Sequence, residues 1–126
     1  MKEIDEEKEG KKEDTKAEVL EKTAKEYFEA AEDEFNKCRL NSAVVLFFKS
    51  LVALIDLYIL QNTGKTPSSH TERFRITQEN FSDVYDILDK DFPFYQDSYN
   101  IFMTKELAEV IREDAEYVAE KTSIEL

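Results

Sequence analysis

Ser42–Leu60, SAVVLFFKSLVALIDLYIL, is the stretch that decides the fold: across it only Ser42, Lys49, Ser50 and Asp56 are polar. A helix that is apolar nearly all round must be covered on every side, which places it at the centre of a domain. Asn41 or Ser42 can cap its start, Gly64 can take the left-handed position that ends it, and Pro67 blocks any continuation. The spacing predicts a helix over about residues 42–62, roughly 30 Å long at 1.5 Å per residue.

The same run has the length of a membrane span, but Lys49 and Asp56 argue against one. Each charge near the middle of a lone span costs about 2.5–3.5 kcal/mol, and the flanks Arg39 and Lys65 show no one-sided basic excess. Ser42, Lys49 and Asp56 recur every seven residues, so they form one narrow polar seam on an otherwise apolar cylinder. That seam is a snorkelling edge, a polar contact with a neighbouring helix, or the lining of a pocket.

Working outward, the 126 residues with 41% hydrophobic content fit a single domain with one core, over residues 15–126. Two Gly and two Pro leave few places for tight turns, which favours long helices over a many-stranded sheet. Residues 1–14 are a charge run with too little apolar surface to offset ordering, and are expected to be frayed or weakly helical. They lack the apolar region of a signal peptide, so a reduced, cytoplasmic setting is the expectation. One Cys and one His exclude an internal disulfide and any His/Cys metal site. No catalytic residue, metal ligand or cofactor is assigned from motifs: no phosphate-cradling Gly-rich loop, nucleophile elbow or zinc or EF-hand spacing occurs.

Charge is uneven within the net −12: residues 1–40 carry nine basic and fourteen acidic groups, 41–80 four and three, and 81–126 four and twelve. Such a chain repels nucleic acid at long range, so nonspecific nucleic-acid binding is not expected outside a local basic patch between Lys65 and Arg75.

Thr15 with Glu18 forms a capping box ahead of a stripe at Ala17, Leu20, Ala24, Tyr27, Phe28, Ala31, Phe35 and Cys38, an amphipathic helix that pairs antiparallel with the central one. Ser69 with Glu72 repeats the box before Phe74, Phe81, Val84, Tyr85, Leu88 and Phe92, a stretch that Asn80 and Ser82 can divide. Pro93 is expected to end it, with a short helix following on Tyr95, Tyr99 and Phe102. Thr104 caps the last helix, whose stripe is Leu107, Val110, Ile111, Ala115, Val118 and Ala119. The fold class is thus all-α, a four- to five-helix bundle around the central helix.

The order of a long charged helix, RLNSAVVLFFKSLVALIDLYIL (39–60), a polar loop, PSSHTERF (67–74) and SYNIFMTKELAEVIREDAEYV (98–118) resembles the HEPN family of small helical domains, over about Ala17 to Ala119. Asn41, Ser42 and Ala43 match the small-residue start of that family's apolar second helix, His70 a histidine at the start of the next, and Tyr99 an aromatic before the last. Family members that cleave RNA carry an arginine followed four to six residues later by a histidine. Here His70 precedes Arg73, Arg75 and Arg112, and nothing suitable follows Arg39. The resemblance therefore implies a non-catalytic interaction module, a homodimer or the partner of a nucleotidyltransferase or another protein. The alternative is nucleotide binding or weak RNA processing at the basic patch.

The residues of that patch are Lys65, Ser69, His70, Arg73 and Arg75. Ser69 caps a helix whose N-terminus favours an anion, and His70 and Arg73, three apart, share a face beside it. The structural alternative is that His70 helps the cap while Arg73 and Arg75 pair with acidic groups on the last helix.

Overall fold

The computed structural model describes residues 13–126, which form five α-helices and no strand. They are α1 (Lys16–Asn36), α2 (Leu40–Thr63), α3 (His70–Asn80), α4 (Ser82–Asp97) and α5 (Lys105–Thr122). The frayed segment expected over 1–14 lies outside the described residues except for Glu13 and Asp14, which are exposed and non-helical.

The helix starts follow local chemistry. Thr15 and Glu18 make the reciprocal capping box of α1. Ser69 and Thr104 accept the third amides of α3 and α5, Glu72 and Leu107. At α3 the box is only half made, because the Glu72 carboxylate turns to the amide and hydroxyl of Ser68 instead of Ser69. Gly64 ends α2 at φ 81°, a conformation that costs a residue without Cβ nothing.

α2 is the centre of an all-α bundle. Val44, Phe47, Phe48, Leu51, Leu54, Ile55 and Ile59 on it are fully or almost fully buried. Tyr58 is half-buried, edge-on to Phe81 with the Lys121 ammonium over its ring. α1 runs antiparallel to α2: the Ser50 hydroxyl donates to Ala24 O at 2.7 Å, and Phe47 meets the Phe28 and Phe35 rings at 5.3 and 6.4 Å. α5 lays Ala108, Ile111, Ala115, Val118 and Ala119 into the same core. α3 and α4 join through Phe92, whose ring lies 5.4 Å from Phe74 and 6.0 Å from Phe48. By length and composition α2 could cross a membrane, but 67% of its most apolar window is already covered by the protein.

Four local expectations need correction. Neither Asn41 nor Ser42 caps α2, which starts after Arg39 with no side-chain cap. The α1 stripe ends at Phe35, because Cys38 leaves the helix at φ 59° and is exposed in the turn to α2. Pro93 does not end α4, which continues to Asp97. Pro93 sits on the exposed face, as does Asp89, whose carbonyl loses its helical partner, so water can satisfy that oxygen while Phe92 and Tyr95 hold the helix to α2. The short helix expected after Pro93 is absent: residues 98–101 form a turn and 102–104 run without helix.

Asp91 is fully buried on α4, and no donor reaches either of its carboxylate oxygens. Burial, and then a hydrogen bond with Asp114 of α5, push its carboxyl from the ordinary 3.8 up to about 9. Protonated, Asp91 can donate to Asp114, whose Oδ2 also lies 3.0 Å from Lys90 Nζ.

Two outcomes follow for stability. Leu51→Ala or Leu54→Ala leaves a cavity at the centre and should cost about 2–5 kcal/mol in urea unfolding, with an unchanged midpoint showing that α2 is not the core. The folded chain retains an Asp91 proton that the unfolded chain releases near the ordinary 3.8, so this group's effect on stability becomes steadily worse as pH rises from there to about 9. Asp91→Asn should raise the thermal midpoint at pH 8 and match the wild type near pH 4, whereas a lower midpoint at pH 8 would mean that Asp91 is ionised and paired.

Candidate functional site

Lys49, Val52, Ala53 and Asp56 follow one another at helical steps on α2 and line a cleft of about 460 Å³. Gly64 and the buried Pro67 turn the chain back so that the first turn of α3 closes one side with Ser68, Ser69, His70 and Arg73. Leu20 and Tyr27 of α1 and Tyr95 of α4 complete the walls.

Arg73 crosses from α3 to α2 and donates Nε to Asp56 Oδ1 at 2.7 Å and Nη2 to Oδ2 at 3.0 Å. This is a fork-to-fork pair, with side chains only 10% and 13% exposed. Arg73 Nη1 also donates to His70 Nδ1 at 2.9 Å, which leaves the imidazole proton on Nε2. Partial burial, and then the Arg73 charge, hold the His70 pKa below its ordinary 6.5 against the opposing pull of Asp56. The imidazole is therefore neutral at pH 7, with its ring 5.1 Å from that of Phe92.

Tyr95 stacks on Phe48 at 4.6 Å, and the Lys49 ammonium lies 5.9 Å from the Tyr95 ring centre. Among the described residues no carboxylate comes within 4.0 Å of Lys49. A half-buried cation without an anion stands out in a chain of net charge −12.

The structure divides the residues named from sequence. Ser69, His70 and Arg73 line the cleft, and so do Lys49 and Asp56 of the polar seam. Lys65 and Arg75 do not. Arg75 points away and meets Glu79 at 3.3 Å and Glu72 at 3.7 Å on its own helix, so neither arginine pairs with α5. Ser42, the first residue of the seam, is exposed elsewhere. Tyr27, Phe48 and Tyr95 were missed as wall residues, because aromatic groups at helical spacing read as core.

Ser42 lies in a second hollow of about 510 Å³ between the start of α2 and the turn after α4. Asn41 builds it. Its Nδ2 donates to Ser98 O at 2.7 Å and Ile101 O at 2.8 Å, and its Oδ1 accepts from Met103 N at 3.0 Å. The braced turn holds Tyr99, Ile101 and Phe102 out at 66%, 57% and 95% exposure.

Because the Asp56–Arg73 pair is largely buried, removing one partner strands the other charge. Asp56→Ala should destabilise the fold by about 3–5 kcal/mol, while the double replacement Asp56→Leu with Arg73→Met should cost less than either single change. Additive losses in urea unfolding would mean that the two side chains do not act as a pair.

No family model and no curated protein sequence matches this chain, so the HEPN resemblance stands on the residue pattern alone.

Proposed function

We propose that the chain is a non-catalytic helical interaction module of HEPN type, and that it acts as a homodimer joined through the turn at 98–102 and the start of α2. The observation that carries this reading is Phe102, 95% exposed on a turn that three hydrogen bonds with Asn41 hold in place. Leaving such a ring in water forgoes about 1.5–3 kcal/mol of burial, and a braced turn does so in one fixed shape.

A second copy is the occupant that fits. The exposed Ile101 and Phe102 flank a hollow that Leu40, Asn41 and Ser42 also line, and a twofold axis sets this apolar patch against its own copy. Five helices, the apolar one at their centre, agree with the architecture that the HEPN resemblance implies, and the missing Arg-to-His spacing supports a role without RNA cleavage. Nucleotide binding or weak RNA processing at Lys65 to Arg75 draws less support. Carboxylates hold both arginines, and a net charge of −12 repels polyanions.

Light scattering after size exclusion, at tens of micromolar (roughly the range in which transient dimers form), should give twice the 14.8 kDa chain mass. Phe102→Asp should give the single chain mass with unchanged helicity. A wild-type monomer would overturn the homodimer and leave a different protein, such as a nucleotidyltransferase, as the partner to seek. A dimer that survives Phe102→Asp would place the contact elsewhere.

A further inference from the structure

We propose that the cleft between α1, α2 and the start of α3 binds a small organic monocarboxylate with a flat or branched apolar body, the carboxylate on Lys49 and the body against Tyr95 and Val52. This stands apart from the dimer reading, since the cleft and the 98–102 turn are different surfaces.

The polar groups of the cleft are donors. Lys49 offers an ammonium with no carboxylate near it among the described residues. His70 offers Nε2–H, because Arg73 occupies Nδ1. The Ser69 hydroxyl accepts from the Glu72 amide and keeps its own proton to give. Asp56 is the carboxylate in the lining, and Arg73 takes both its oxygens. A cation finds the one carboxylate of the lining already engaged, and an anion finds several donors.

Charge selects among anions. Asp56 and Arg73 cancel, and His70 is neutral, its pKa lowered by burial and by Arg73, so Lys49 supplies a net charge of one. One carboxylate balances it. A phosphate dianion or nucleotide brings excess negative charge within reach of Glu72, whose carboxylate sits on Ser68 at the cleft edge. The rest of the lining, Leu20, Val52, Ala53 and the rings of Tyr27 and Tyr95, is suited to an apolar body. The volume of about 460 Å³ falls in the range of small-molecule sites.

The test is an NMR titration of the full chain with phenylacetate, with acetate, inorganic phosphate and AMP as competing probes. Phenylacetate should shift the amides of Lys49 and of Ser68 to Arg73, with a dissociation constant of about 1 mM or tighter. Lys49→Gln should weaken it by about tenfold or more without changing the helical spectrum, and Lys65→Gln should leave it unchanged. Acetate should bind far more weakly, because it lacks the body. Tighter binding of AMP or phosphate would overturn the proposal in favour of a phosphate site. Equal binding of acetate and phenylacetate would reduce the cleft to a surface charge. Shifts elsewhere, or none at millimolar phenylacetate, would remove the site altogether.

Discussion

α2 has only one narrow seam that can be left in water, and that constraint arranges everything else. A helix with a polar side can rest on one neighbour, but one that is apolar around most of its circumference needs cover from several directions. α1 and α5 supply most of it with stripes of small residues and phenylalanine, and α4 adds an aromatic edge. The cover is incomplete along the line of Lys49 and Asp56, where α2 is polar and covering it with apolar groups would strand two charges. The cleft opens there for that reason: it is the place where the central helix does not demand a neighbour.

Closing the side of that cleft depends on Arg73. α3 is short and mostly polar, with few buried residues of its own, so it cannot dock by hydrophobic contact alone. The forked pair with Asp56 fixes its first turn against α2, and the rings of Phe74, Phe92 and His70 hold the rest against α4. The pair thus orients the groups that face the cleft. It removes an arginine from the basic patch and engages the carboxylate of the cleft lining.

How far the sequence discloses this depends on the distance over which each signal acts. The capping box at Thr15, the left-handed Gly64 and the cap at Thr104 are settled within one turn of chain, and pattern reading finds them. The apolar run marks the central helix just as directly. Asn41 reads as a helix cap because its best local partners are amides three residues on, yet its actual partners lie 57 to 62 residues away. Pro93 reads as a stop because backbone geometry disfavours helix before it, and only the aromatic packing of Phe92 and Tyr95 outweighs that preference. Lys49 and Asp56 were visible as a seam and His70 and Arg73 as a patch, but the pairing that unites them is a property of the turn at Gly64 to Ser68. Asp91 is hidden for a different reason. In DILDKDF it looks like one more acid, although its place seven residues after Val84 and three after Leu88 puts it on the buried face, whereas Asp86 and Asp89 are exposed.

Ser50, the Asp56–Arg73 pair and Asp91 show how differently the fold treats its polar groups. Ser50 is fully buried and satisfied by the Ala24 carbonyl, a neutral bond that fixes the register of α1 on α2 at little cost. Asp56 and Arg73 are charged, but each satisfies the other and both lie beside a cleft that admits water, so their desolvation is partial. Asp91 has no such relief: it is fully buried, faces a second acid, and reaches neutrality only by keeping a proton. It also lies outside both lined surfaces, on the side of α4 that meets α5, so its cost is borne by the fold and not by either candidate binding surface. Tyr95 of the cleft touches Tyr99 of the second hollow. Its ring walls the cleft and its hydroxyl meets that of Tyr99, at the base of the exposed turn, at 3.2 Å. A ligand resting on Tyr95 would be one hydrogen bond from the turn at 98–102, and any coupling between the cleft and a contact made by that turn would act equally in both directions.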